Sequence, residues 1–214
     1  MADDPVAIAD RVAEAAIAAV PQRLATASSE AEREAAFRLR YRTVVEMGWA
    51  KPKDFPDGIE RTDDDDDAIH VIAWDGDELV GTARIVLPRE ARELPLEREF
   101  GLRAEAQDVE VGRTVIVPRL RGATGHGLVV ALYARCWQEM RQLGFTELIS
   151  AVPPRLVELY RSLGFTVIEL GEARVHWGEE RLPVRFDVLG SAPELGRNLG
   201  AADEARAAPT LPKS

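Results

Sequence analysis

The chain has 214 residues and a formal net charge of −10 at pH 7, enough for one domain with a substantial core and too acidic for nucleic acid as the main partner. Its one cysteine, Cys136, excludes an internal disulfide framework and a cysteine-based zinc site, and His70, His126 and His176 have no metal-like spacing, so no metal is expected. No stretch has the apolar length of a transmembrane helix and the N-terminus lacks a signal peptide's basic start and apolar core, so a cytoplasmic protein without a membrane span is expected.

The chain opens with a helix from Asp4 to about Val20, capped by Asp4, started by Pro5 and stopped by Pro21. It is alanine-rich and reads as a loosely docked appendage over residues 1–22, ahead of a main domain at 23–190. Residues 23–27 give a short strand. Ser29-Glu-Ala-Glu32 is a capping box that predicts a helix to about Met47, with Ala36, Phe37, Tyr41, Val44 and Val45 as its apolar stripe. Gly48–Asp67 is a long polar loop. Its run Asp63–Asp67 repels itself and cannot form a buried turn without a counter-charge, so it reads first as a solvated loop and second as a cation or amine site.

Two apolar runs around Asp75-Gly76 predict a hairpin over 69–87, with Arg84 expected on its solvent face. A charged excursion over 88–107 follows, anchored by Leu94, Leu96, Phe100 and Leu102. Residues 109–117 are a β-branched strand ended by Pro118, and Arg121, Gly122, Gly125 and Gly127 connect it to a helix over 128–143. Glycines between a strand and a helix suit either a tight connector or a phosphate cradle at the helix N-terminus. On the helix, Leu128, Leu132, Cys136 and Met140 recur every fourth residue, which makes Cys136 a core filler rather than a nucleophile. A strand over 147–152, a helix from Pro153-Pro154 to Leu163 with Leu156, Leu159 and Leu163 inward, and strands over 166–170 and 182–188 complete the domain. His176-Trp177 falls in the last connection. Residues 191–214 read as a flexible tail.

A hairpin, a strand ending in Val117-Pro118-x-x-Arg121-Gly122 with further glycines, a long helix, a strand, and then Tyr160-x-x-x-Gly164-Phe165 resembles the GCN5-related N-acetyltransferase (GNAT) superfamily over about residues 29–190. The resemblance implies an α/β (α+β) fold with a central mixed, mostly antiparallel twisted sheet, flanked by helices and splayed between its central strands. The loop Arg121-Gly-Ala-Thr-Gly-His-Gly127 is one residue longer than the usual pyrophosphate loop. A narrower set, Arg40-x-x-x-Val44, Gly48-Trp49, an acidic loop, Arg84 and Glu110-x-x-Arg113-x-x-Ile116, is similar to the acyl-homoserine-lactone synthases and N-acyl amino acid synthases. It departs from them at Val44, Thr114 and Ile116.

The resemblance implies transfer of an acyl group from a thioester, acyl-coenzyme A or acyl carrier protein, to the amine of a small molecule, with an amino acid among the candidates. Coenzyme A or a phosphopantetheine thioester is then a co-substrate, and no permanently bound cofactor is implied. An alkylammonium must lose a proton before it attacks, and the departing thiolate must gain one. Glu110 is the candidate base and Tyr160 the candidate acid. Backbone groups at Val115, Ile116 and Val117 would support the thioester, Arg121, Gly122, Gly125 and Gly127 its phosphates, and Arg40, Trp49, Arg84 and Arg113 the substrate pocket. Without the resemblance, Glu110 reads equally as a carboxylate paired with Arg84 or Arg113, and Tyr160 as a packing residue. An acetyl-coenzyme A acetyltransferase and a non-catalytic thioester-binding module are the alternatives.

Overall fold

The computed structural model describes residues 4–90, 92–121 and 125–207. Helix α1 (Pro5–Ala18) is capped by the Asp4 side chain, and strand β1 (Arg23–Thr26) follows. Helix α2 (Glu30–Glu46) starts at the expected reciprocal box of Ser29 and Glu32. The hairpin is β2 (Ile69–Asp75) and β3 (Glu78–Val86), and the excursion after it holds α3 (Pro95–Phe100). Then come β4 (Asp108–Ile116), α4 (Gly125–Gln142), β5 (Glu147–Val152), α5 (Pro154–Ser162), β6 (Thr166–Glu169), β7 (Arg174–His176), β8 (Glu179–Asp187) and α6 (Val188–Ala207).

One sheet runs β1-β2-β3-β4-β5-β8-β6, with β7 hydrogen-bonded to β8. All its neighbours are antiparallel except β4 and β5. That parallel pair is in register only at Asp108–Glu147, Val109–Leu148 and Glu110–Ile149, after which the two strands part. The sheet is therefore split down its middle, and Glu110 is the last paired residue before the split opens. Helix α2, the 48–67 loop and α3 cover one face. Helix α4 lies on the other, with α1 and α6 packed outside it. Leu128, Leu132, Cys136 and Met140 are all buried on the α4 stripe, and burial pushes the Cys136 thiol up and keeps it neutral.

Several expectations change. Helix α1 is integral: Ala9 and Ala13 are buried in the main core and the Trp137 Nε1–H donates to Asp10 at 2.8 Å. Residues 191–207 continue helix α6 instead of forming a tail, since Ala192 and Leu195 give it a buried side and Ser191 accepts the Thr166 N–H at 2.7 Å; residues 208–214 lie outside the described residues. Helix α5 ends within a residue of the expected place, but it buries Val157 and leaves Leu163, its C-cap, 41% exposed. On α2, Leu39 and Arg40 are buried deeper than Tyr41 and Val45. His176 lies on a strand, β7, which makes a second hairpin with β8 through Trp177-Gly178.

Candidate functional site

On the α2 face of the split, four segments converge on a buried charge cluster. Arg40, 0% exposed in mid-α2, donates to both Asp65 carboxylate oxygens at 2.7 and 2.8 Å, to the Glu60 carbonyl at 2.7 Å, and to the Glu60 carboxylate. The aspartate run is thus not a solvated loop. Residues 63–66 form a turn of 3-10 helix, with Asp64 and Asp65 buried. Asp64 takes Arg92 at 2.9 Å and Arg98 at 2.6 Å. The counter-charges that such a run demands come from three separate elements. Burial pushes the Asp65 carboxyl up, but the hydrogen bonds and charge of Arg40, and then the charge of Arg84, outweigh it and hold it well below the usual carboxylate range.

Arg84 is 1% exposed, against the expectation of a solvent face, because β3 is covered on both sides. Its Nη1 donates to Thr62 Oγ1 at 3.0 Å and lies 3.5 Å from Asp65, and its Nη2 lies 3.8 Å from Glu110. Its Nε has no hydrogen-bond partner among the described residues. Glu110 accepts the Leu96 N–H at 2.7 Å. Burial raises its pKa above the ordinary carboxylate value, and the Arg84 charge, the Leu96 N–H and Arg113 only partly oppose that. His70, edge-on to Phe37, donates its Nε2–H to the Asp65 carbonyl at 3.1 Å, and burial lowers its pKa.

Arg113 reaches this face through a β-bulge. The β3–β4 register slips between Thr82 and Arg84, and Arg113 sits at φ 52°. Strand alternation alone would turn Arg113 away from Glu110; the bulge turns it back and sends Thr114 toward α4. Its Nε lies 3.2 Å from Glu60, without an aligned hydrogen bond, and its guanidinium carbon is 4.4 Å from the Trp177 ring centroid. Trp177 in turn packs on Trp49, with centroids 5.4 Å apart. Trp177 has φ 51°, and a Cβ on Gly178 would fall 2.2 Å from the Trp49 side chain, so only glycine fits this hairpin tip.

Residues 35–177 match the model of the N-acyl amino acid synthase FeeM family. The chain belongs to that family. It is therefore an acyltransferase acting on an amine, and the non-catalytic thioester-binding module is set aside. No curated protein sequence gives a match. Among solved structures, the coenzyme A-dependent acyl-homoserine lactone synthase BjaI with MTA is similar at TM-score 0.65 and 21% identity, over 84% of this chain and 90% of that one. The coenzyme A-dependent synthase MesI follows at 0.61 and 24%, over 88% and 97%. An acyl-CoA N-acyltransferase from Pseudomonas aeruginosa has TM-score 0.53 and 20% identity, over 77% and 98%. These likenesses are of fold, and the fold is the GNAT fold.

On the α4 face of the sheet, between α1, α4 and α6 and behind β5 and β8, this FeeM-family chain has an apolar cavity of about 100 Å³, walled by Ala13, Ala134, Leu148, Tyr160, Phe186 and Leu195 among others. Tyr160 packs edge-on to Phe186 at 5.2 Å; burial and the neighbouring Tyr133 push its hydroxyl up, against the pull of Arg181. Tyr133 is buried too, and the Ser150 and Thr114 hydroxyls, one from each side of the split, partly offset that burial. Along the β4 edge, the Val117 N–H is already donated to the Val80 carbonyl at 2.9 Å. Val115 pairs with Thr82 toward β3, so alternation leaves Ile116 facing the split. The Ile116 carbonyl accepts Arg121 Nε at 3.2 Å, while the rest of the Arg121 guanidinium meets Glu46 at 3.3 and 3.4 Å. Gly125 and Gly127 form the first turn of α4; Gly122 lies outside the described residues.

The structure brings Arg40, Arg84, Glu110, Arg113 and Trp49 to one face of the split and Tyr160 to the other. Sequence reasoning missed Glu60, Trp177, Tyr133 and Arg181. The one usable signal was the aspartate run, whose need for counter-charge pointed to buried arginines. Among the described residues, no group of three His, Cys, Asp or Glu is arranged to hold a metal ion, and no helix is long and apolar enough to cross a membrane.

Proposed function

We propose that the chain moves a medium- or long-chain acyl group from a thioester, carried by coenzyme A or by acyl carrier protein, to the amine of an amino acid. The observation that carries this reading is the position of Glu110: the last residue of β4 paired with β5, buried where the split opens, with its carboxyl pKa raised by burial and Arg84 3.8 Å away.

In this reading the ammonium enters on the α2 face and gives a proton to Glu110, directly or through water. The neutral amine attacks the thioester carbon lying in the split, and the Ile116 N–H supports the oxyanion. The C–N bond forms, the C–S bond breaks, the Tyr160 O–H protonates the leaving thiolate, and the second proton that the nitrogen loses as the amide forms returns to the tyrosinate through water. Arg40, Arg84, Arg113 and Trp49 shape the acceptor pocket. Arg121 and the first turn of α4 take the phosphates; the exposed Glu46 pair that occupies Arg121 is weak enough to exchange for a phosphate. No bound cofactor takes part.

The small size of the cavity favours a second reading, an acetyl-coenzyme A acetyltransferase. Thiol release from acetyl-, octanoyl- and palmitoyl-coenzyme A, each with and without a pool of amino acids, separates the two. Amine-dependent release that favours the longer chains supports the synthase. Release from acetyl-coenzyme A alone replaces it with the acetyltransferase. The same assay with acyl carrier protein identifies the carrier.

A further inference from the structure

The β7–β8 hairpin brings to the site a residue that the reaction as described does not use. Arg181, on β8, has its guanidinium carbon 5.3 Å from the Trp49 ring centroid and 5.7 Å from that of Trp177. Its Nη1 donates to the Ala151 carbonyl at 3.3 Å, on the part of β5 that has already left β4. Its Nη2 meets Glu179 at 2.8 Å, and its Nε is buried without a hydrogen-bond partner among the described residues. Arg113 stands against the same Trp177 ring and makes no aligned hydrogen bond with a described residue. Two guanidinium groups with unspent donors thus flank one indole at the mouth of the split.

The surrounding charges leave room for an anion there. Arg40, Arg84, Arg113 and Arg181 face Glu60, Asp65, Glu110 and Glu179, and Arg155 at 3.4 Å also draws on Glu179, so the arginines outnumber the carboxylates by one. A cluster of this kind, left one negative charge short, accepts a carboxylate at its arginine end while Glu110 receives the ammonium at the other. That is the polarity of a zwitterionic α-amino acid. A planar guanidinium with free N–H groups is the side chain suited to a carboxylate.

We propose that Arg181, together with Arg113, binds the carboxylate of the acceptor, so that this FeeM-family chain selects α-amino acids over amines that lack an acid group. The inference rests on the amino acid reading above. Arg181 is a specificity-determining residue, and Trp177 and Trp49 fix where its charge sits.

The test uses leucine and phenylalanine, each as the free acid, the methyl ester and the decarboxylated amine, with the wild-type chain and with Arg181→Met, which keeps an apolar stem on the indoles, and Arg181→Lys, which keeps the charge. Two readouts run in parallel: tryptophan emission on titration with each compound, which reports binding beside Trp49 and Trp177, and thiol release from octanoyl-coenzyme A. The wild type should prefer the free acid over the ester and the amine by roughly 10- to 100-fold, mainly in KM. Arg181→Met should abolish that preference in KM and in the emission titration alike, whatever it does to kcat with the ester, and Arg181→Lys should restore part of it. A wild type indifferent to the carboxylate, or an Arg181→Met variant that keeps the preference, overturns the assignment. If no amine supports thiol release, the acyl-transfer reading fails, and the emission titration still decides whether a carboxylate binds at Arg181.

Discussion

Arg40 and Asp65 form a two-pronged ion pair, 2.7 and 2.8 Å, between the middle of α2 and the aspartate turn, with neither side chain reaching solvent. This pair converts a self-repelling run into the wall of the site. A buried pair is costly to break from one side, because the abandoned partner stays buried with its charge. Asp65→Asn and Arg40→Met should each destabilise the fold by about 3–5 kcal/mol in urea unfolding at pH 7. The pH dependence has a definite sign. The folded-state pKa of Asp65 is depressed below its ordinary value of 3.8, so the unfolded chain takes up that proton first as pH falls. The difference between wild type and Asp65→Asn should be fully present above about pH 4 and shrink below it; a constant difference down to strongly acidic pH would remove the ion pair as its source.

Glu110→Gln keeps the shape and an acceptor for the Leu96 N–H but removes the carboxylate proposed as the base. Turnover should drop by about 10²- to 10⁴-fold, with stability at pH 7 maintained or improved, because burial of the ionised carboxylate opposes folding. In the wild type, kcat/KM should rise with pH through a Glu110 pKa above the ordinary 4.5. Arg84 is the strongest influence opposing that rise, so Arg84→Met should move the acid limb to higher pH. A limb that stays in place in the Arg84 variant would assign it to another group.

The contrast between Ser29 and Arg84 shows how much could be read in the chain. The Ser29–Glu32 box, the Asp75-Gly76 turn and the every-fourth-residue stripe on α4 are local, each written within a few residues, and the structure has all three. The narrow set around Glu110 was legible as a family pattern. Arg84 was placed on the wrong face because its burial depends on Thr62, Asp65 and Glu110, all 19 or more positions away. Arg181 carried no local mark, since its role follows from a hairpin that aligns it with Trp49 across the fold. The bulge that re-aims Arg113 was marked only by Gly112 beside it, a glycine inside the strand pattern. Helix α6 escaped notice because alanine and glycine without a period look like a tail until α1 supplies the surface it packs on.

Tyr160 offers a cleaner separation of chemistry from packing than Glu110 does. Its ring is held by Phe186, and its hydroxyl donates no hydrogen bond to a described residue. Tyr160→Phe therefore keeps the packing and should leave the unfolding midpoint within about 0.5 kcal/mol of wild type. If Tyr160 protonates the thiolate, kcat should fall by about 10²-fold or more with KM for the thioester nearly unchanged. Because burial pushes the phenol pKa up, no basic limb from Tyr160 should cut into the wild-type rate near neutral pH. Equal kcat in the two proteins would return Tyr160 to a packing role.

Ala134 gives direct access to the apolar cavity on the α4 face, and so to a test of whether the acyl chain lies there. Ala134 is buried on α4 and forms part of the cavity wall, beside Tyr133 and across from Leu148. Ala134→Leu adds an isopropyl group into space that is empty of protein atoms, so it should repack at little cost or with a small gain in stability. If the acyl chain lies there, the variant should lose octanoyl and palmitoyl transfer by about 10-fold or more, since several buried methylenes at about 0.8 kcal/mol each lose their place. Acetyl transfer, which needs only the thioester and the split, should stay within about twofold of wild type. The ratio of octanoyl to acetyl kcat/KM is the measurement. An unchanged ratio in a folded variant would move the chain to another path out of the split, along the β4 edge past Ile116 and away from Tyr160.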